Sequence, residues 1–199
     1  INHTREHLAF NRAALDAGYD FSRIEAHVDY MLGLAKGRPA PVNLAATMAL
    51  EHFTAMMAHE FLANPAHFAG GEPEVANMWR WHAIEEIEHK AVAFDTYLHA
   101  TRHWPARRRW WLRCVMMLVV SKNFLVHRIK DALDLMAQDG IAGWRAKARL
   151  FAYLTVTPGV LRRILPAWLA YFRPGFHPWD HDDRALIAQA EAALGGPAA

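Results

Sequence analysis

The sequence predicts an all-α fold, an antiparallel helical bundle with extra C-terminal helices. Apolar residues recur with helical periodicity along most of the 199 residues, and proline and glycine fall between the periodic segments. Strand signals are poor, because the main β-branched run is YLTVTPGV and apolar residues do not alternate. Long helices joined by short loops pack most readily as an antiparallel bundle.

Three helices are predicted in the first third of the chain. They span residues 1–17, about 21–36 and 42–63. A glycine ends the first helix, the segment KGRPAP ends the second, and an Asn-Pro pair ends the third. The chain begins inside a helical pattern without a methionine, so we expect further helix sequence to precede it.

The remaining chain is also predicted to be helical. One continuous helix is expected over about 73–102, with Pro73 at its start, and a second long helix over 105–139. Two or three shorter helices follow, separated by Pro158, Pro166 and the segment RPGFHPWD. The length predicts one helical domain over residues 1–199.

Composition excludes several classes of function. A net charge of +2, from 22 basic and 20 acidic residues, is too balanced for a nucleic-acid surface. The single cysteine, Cys114, excludes an internal disulfide and a cysteine-based metal site, and it suits a reducing cytoplasm. Thirteen histidines instead favour a metal site with nitrogen and oxygen ligands.

The apolar stretch within residues 105–126 raises the question of membrane contact. Arg113 and Lys122 interrupt it, so its charge-free core is shorter than the ~20 residues that span a bilayer. We expect a buried bundle helix, with peripheral membrane contact or partner docking through Trp110 and Trp111 as the alternative. A homodimer is also considered.

The segment WHAIEEIEHK, residues 81–90, contains the strongest functional pattern. At about 100° per residue on a helix, His82, Glu86 and His89 share one narrow stripe. Glu88 and Lys90 point elsewhere and are predicted to be solvated. An exposed polar face is the simpler interpretation of the stripe. Bulky apolar neighbours favour burial, however, and buried carboxylates and imidazoles are costly unless paired or bound to metal.

Two further elements supply possible ligands. Glu51 lies in the middle of a helix among alanines and methionines, either as a buried ligand or as an exposed carboxylate. His3 and His7 are separated by one helical turn and can face the same way, as ligands or as surface residues. Bundle proteins with two iron or manganese ions use lone glutamates and Glu-x-x-His pairs. Glu51 and the pair Glu86/His89 account for half of that set.

The chain resembles a ferritin-like family of bacterial proteins known as predicted metal-dependent hydrolases. The resemblance lies in HTREHLAFNRAALDAGYD, ALEHFTA, WHAIEEIEHKAVAFD and YFRPGFHPWD. The ligand layout is also similar to that of the di-iron arylamine N-oxygenases. The resemblance implies a ferritin-like bundle with two metal ions, iron or alternatively manganese or zinc. It assigns as metal ligands His3, Glu51, His82, Glu86 and His89.

Three functions are compatible with these observations. We favour an oxygen-activating di-iron oxidase or oxygenase, which would act on a small organic substrate and need dioxygen and an electron donor. The alternative is a hydrolase in which a two-metal centre activates water. A non-catalytic metal-binding or membrane-associated helical protein is the third. The sequence identifies no catalytic acid, base or phosphate loop.

Overall fold

The computed structural model describes the backbone of residues 2–195 and the side chains of residues 4–195. Over this range the predicted all-α class is confirmed, because the secondary structure consists of helices and turns without strands. The α-helices are α1 Asn2–Asp16, α2 Ser22–Lys36, α3 Ala40–Ala63, α4 Pro73–Glu88, α5 Val92–Ala100, α6 Ala106–Gln138, α7 Gly143–Thr155, α8 Val160–Ala170 and α9 Arg184–Ala193.

Helix α3 is the central element of the bundle. It packs against α4, α5 and α6 along its length and also contacts α8 and α9. Its composition explains this position, since its alanines allow neighbouring helices to approach closely while Met48 and Phe53 fill the spaces between them. The main core continues through Tyr97 on α5, Met117 on α6 and Tyr171 after α8.

The predicted continuous helix over 73–102 is wrong, because residues 89–91 form a turn between α4 and α5. The Val92 amide donates to the His89 carbonyl oxygen at 2.9 Å, and the Lys90 amide donates to the Ile87 carbonyl oxygen at 3.3 Å. These short-range bonds replace the regular helical pattern. As a consequence, the Ala93 amide in the first turn of α5 donates its hydrogen bond to a group outside the helix, the Glu51 carboxylate.

Helix α6 is long and amphipathic. In the part of the chain that the structure describes, no helix has the length and apolar character needed to cross a membrane. Trp110 is fixed by a 2.9 Å hydrogen bond from its indole Nε1 to the Phe172 carbonyl oxygen. Trp111, the next residue, is 60% exposed. The two tryptophans therefore have different environments.

The segment between α8 and α9 returns over the bundle and is held by buried contacts. The Arg113 guanidinium donates to the Arg173 carbonyl oxygen at 2.7 Å and to the Phe176 carbonyl oxygen at 3.3 Å. Phe176 is buried in the main core. Residues 181–183 of the same segment lie beside α3 and the turn between α4 and α5.

Candidate metal-binding sites

Glu51, His82, Glu86 and His89 lie on or directly after the adjacent helices α3 and α4, and we call them the carboxylate cluster. His82 Nε2 lies 3.5 Å from Glu86 Oε1, as expected for residues one helical turn apart. On the other side of the ring, His82 Nδ1 lies 3.2 Å from His7 Nε2 of α1. The side chains of His82 and Glu86 are largely but not completely buried.

Glu51 is held by the first turn of α5, directly after the turn that separates α4 from α5. Its Oε2 accepts a 3.1 Å hydrogen bond from the Ala93 amide, so the carboxylate caps the N-terminus of α5 from a different helix. Burial raises the pKa of Glu51, and the negative charge of Glu86 raises it further, while the Ala93 amide and His89 oppose the shift. Glu51 is therefore close enough to Glu86 and His89 to interact electrostatically.

The carboxylate cluster contains two acids with little compensating charge. Among the described side chains, neither Glu51 nor Glu86 forms an ion pair with lysine or arginine, and His82 is the ion-pair partner of Glu86. A carboxylate whose pKa is raised by burial, and further by a second carboxylate nearby, is a suitable environment for a cation. The donor set of carboxylate oxygen and imidazole nitrogen fits iron, manganese or zinc.

The predicted ligands are only partly gathered in this structure. His89 is the exposed residue at the C-terminal end of α4, where its amide still bonds to the Glu85 carbonyl oxygen, and its charge acts on Glu51. The side chain of His3 lies outside the described residues. Within the described residues, no three predicted ligands bring one donor atom each within 4.8 Å of the others. His7, which is one turn after His3, contacts His82.

A second group of possible ligands was not anticipated from the sequence. His59 on α3 and His181 and Asp183 before α9 form what we call the His59 triad, with one donor atom from each residue within 4.8 Å. His59 Nδ1 lies 2.7 Å and His181 Nε2 lies 3.2 Å from Asp183 Oδ1. The two imidazole nitrogens are 3.3 Å apart.

Lys90 completes the surroundings of the triad. It was predicted to be solvated but is 4% exposed, because its ammonium donates to Asp183 Oδ2 and to the His181 carbonyl oxygen, both at 2.6 Å. Burial alone would raise the pKa of Asp183, but the hydrogen bonds from His59 and Lys90 hold it below its ordinary value. Asp183 is therefore an ionised, buried carboxylate.

A cavity of about 310 Å³ adjoins the His59 triad. All three triad residues line it, together with Lys90 and apolar groups from α8 and the segment that follows. The triad was missed because His59 and Asp183 are 124 residues apart in the sequence, so no local spacing relates them. The short run His-Asp-Asp at 181–183 was the only available signal.

A family model described as "Predicted metal-dependent hydrolase" matches residues 1–182 of the chain. No curated protein and no solved structure matches the chain significantly.

Proposed function

Since the chain belongs to the family of predicted metal-dependent hydrolases, we propose that it is a hydrolase whose metal is held by the carboxylate cluster. The observation that supports this location is the partly buried carboxylate of Glu51, which lies within electrostatic range of Glu86. The two carboxylates come from adjacent helices, and the pKa of Glu51 is raised mainly by burial and to a smaller extent by the charge of Glu86. A divalent cation would relieve this repulsion and the cost of partial burial.

Four side chains would contribute ligands: Glu51, Glu86, His82 and His89. Glu51 keeps Oε1 available, because its hydrogen bond to Ala93 uses Oε2. The largely buried His82 and Glu86 retain enough exposure to close on a cation by rotamer changes. His3 is proposed as a further ligand from α1. Carboxylate oxygen and imidazole nitrogen suit iron, with manganese or zinc as alternatives. Because these residues are half of a two-metal ligand set, a centre with two ions would need further carboxylates.

The metal would supply a coordinated water of lowered pKa and would polarise a scissile carbonyl or phosphoryl group. The chain itself orients the ligands. The Ala93 amide fixes the Glu51 carboxylate, and His7 fixes the His82 ring so that Nε2 is directed at Glu86. Such contacts behind a ligand restrict its orientation and support metal affinity.

A second candidate is the oxygen-activating di-iron oxidase or oxygenase, which would act on a small organic substrate. The mixture of helix-borne carboxylates and imidazoles favours it, because ferritin-like bundles hold redox-active metal pairs in this way. It would need dioxygen and an electron donor. The family description favours hydrolysis, so we place this candidate second.

The test is elemental analysis of protein produced with iron, manganese and zinc, comparing Glu86→Ala with Glu88→Ala. Glu88 is exposed on the same helix and is the matched control. We expect Glu86→Ala to lose most of the metal and Glu88→Ala to keep it. Equal metal content in the two variants would overturn the assignment of this cluster.

Activity measurements separate the two candidates. The metal-loaded protein is assayed against carboxylic ester, amide and phosphate ester substrates, and in parallel for dioxygen consumption with a chemical reductant. Hydrolysis that disappears in Glu86→Ala supports the proposed function. If the unchanged protein consumes dioxygen but does not hydrolyse these substrates, and Glu86→Ala abolishes the consumption, the result would overturn the hydrolase and support the oxidase.

A further inference from the structure

We propose that His59, His181 and Asp183 form a second metal site, separate from the carboxylate cluster, that binds one zinc-like divalent ion through three protein ligands. The ligands belong to different elements, with His59 on α3 and the other two on the segment before α9. His59 follows Glu51 by eight residues on the same helix, which corresponds to about 12 Å along the axis. The two sites therefore share no ligand.

The spacing of the donor atoms fits tetrahedral coordination. Zinc bonds of about 2.0–2.1 Å to nitrogen and oxygen place neighbouring ligand atoms about 3.3 Å apart in a tetrahedron. The observed separations are 3.3 Å between the imidazole nitrogens and 3.2 Å between His181 and Asp183. The third, between His59 and Asp183, is 2.7 Å and would open by roughly 0.6 Å when a cation replaces the hydrogen bond.

The chemistry of the ligands fits the same metal. Two imidazoles and one carboxylate are a common ligand set for zinc and for other first-row divalent metals. Both imidazoles are directed at the same oxygen of Asp183. A cation among the three donor atoms would bind all of them. Without a cation, the single oxygen Oδ1 must accept hydrogen bonds from both imidazole rings.

Lys90 acts as a positioning residue for this site. It binds Asp183 through Oδ2, so Oδ1 is left to the two imidazoles. The same ammonium also binds the carbonyl oxygen of His181, so it fixes two of the three ligands. Hydrogen bonds of this kind orient metal ligands from outside the coordination shell.

The fourth coordination position would face the adjacent cavity of about 310 Å³, since all three ligands line it. A closed structural zinc site has four protein ligands, and an open one has three. The His59 triad therefore has the composition of an open site, which water or a small ligand could reach from the cavity. The same ion would also fasten the start of α9 to α3.

The experiment is titration of the metal-free protein with Zn²⁺ by calorimetry and with Co²⁺ by visible absorption, using His181→Ala. His181 is 60% exposed, so its removal leaves the buried pair of Lys90 and Asp183 in place. The matched control is His103→Ala, which removes an exposed histidine from the turn between α5 and α6. Both variants are compared with the unchanged chain.

We expect His181→Ala to bind one equivalent of Zn²⁺ fewer and to lose an intense tetrahedral Co²⁺ absorption, while His103→Ala retains both. Equal stoichiometry and spectra in all three proteins would overturn the site and leave a hydrogen-bonded ion pair in its place. The Glu86→Ala variant should retain this Co²⁺ absorption. The two proposals are therefore tested separately: metal content unchanged in Glu86→Ala contradicts the hydrolase site, and Zn²⁺ binding unchanged in His181→Ala contradicts the second site.

Discussion

The Nζ atom of Lys90 lies 2.6 Å from Oδ2 of Asp183, and the two residues are 4% and 3% exposed. Removing one member of a buried ion pair leaves the other without compensation, which costs about 3–5 kcal/mol. Because Asp183 keeps its 2.7 Å contact with His59, we predict that Lys90→Met lowers the free energy of unfolding of the metal-free protein by about 3 kcal/mol, the lower end of that range. Urea denaturation followed by circular dichroism measures it, with the exposed Lys122→Met as control.

The double variant Lys90→Met/Asp183→Asn distinguishes a lost pair from lost packing. If the uncompensated carboxylate causes the damage, neutralising Asp183 should recover a large part of the lost stability. A double variant as unstable as the sum of the two single variants would show that the two charges are not coupled.

Glu51 gives a prediction in which stability and metal binding change in opposite directions. The pKa of Glu51 is higher in the folded protein than in the unfolded chain, so ionisation of the carboxylate opposes folding. The stabilisation from Glu51 is complete below its unfolded pKa of 4.5 and is lost as the pH rises through its folded pKa. Glu51→Gln removes the charge and keeps an oxygen for the Ala93 amide. We expect the metal-free variant to be more stable than the unchanged chain at pH 7 but not at pH 4.

The same variant should lose metal. Urea unfolding at the two pH values and elemental analysis of the loaded protein provide the measurements. A Glu51→Gln protein that retains full metal content and loses stability at pH 7 would show that Glu51 serves only as a cap for α5.

Much of the helical layout could be predicted from local sequence. Helix α3 was expected over 42–63 and spans Ala40–Ala63. Its bounds follow from local backbone chemistry, because KGRPAP separates α2 from α3 and the Asn-Pro pair ends α3. The turn at residues 89–91 contains neither proline nor glycine. Contacts from distant residues stabilise it instead: Asp183 binds the Lys90 side chain, and Glu51 binds the Ala93 amide.

The two candidate sites also differ in whether their residues are close together in the sequence. His82 and Glu86 are one helical turn apart, so their proximity follows from helix geometry. His59 and Asp183 come from distant segments, and the segment after α8 is held over the bundle by Arg113 and by Lys90. A pattern within one helix can be predicted from a sequence, but a meeting of two distant segments depends on tertiary packing.

His52 should make stability depend on pH between about 4 and 6.5. Burial lowers the pKa of this imidazole to about 4, and the charges of Lys90 and Arg113 add to the shift, while a hydrogen bond to the Ala167 carbonyl oxygen opposes it. The unfolded chain then binds the proton more readily, so stability falls as pH drops from 6.5 toward 4. The difference corresponds to about 3 kcal/mol.

The variant His52→Gln keeps a donor for Ala167 and does not titrate. We expect its urea midpoint to fall less between pH 7 and pH 4.5 than that of the unchanged chain. His103→Gln, at an exposed position, should behave like the unchanged chain. Identical pH slopes for His52→Gln and the unchanged chain would contradict the burial effect.

Trp111 is the residue that tests peripheral membrane contact, the alternative to a buried bundle helix. It is 60% exposed, and Leu118, two turns along α6, is exposed as well. Residues 96–130 contain eight Lys or Arg and no Asp or Glu, so this exposed apolar strip lies in a basic stretch. Such a combination favours an anionic bilayer surface over a neutral one.

Sedimentation with vesicles tests the expectation, using phosphatidylglycerol mixed with phosphatidylcholine and phosphatidylcholine alone. We expect binding to the anionic vesicles only, reduced by Trp111→Ala and unchanged by Leu32→Ala, which removes an exposed leucine from α2. Trp110→Ala should instead reduce stability, because its indole is bonded to Phe172. Binding that is equal for both vesicle types, or that Trp111→Ala leaves intact, would contradict a membrane role for α6. Trp111-dependent dimerisation without vesicle binding would instead assign this face to a second copy of the chain.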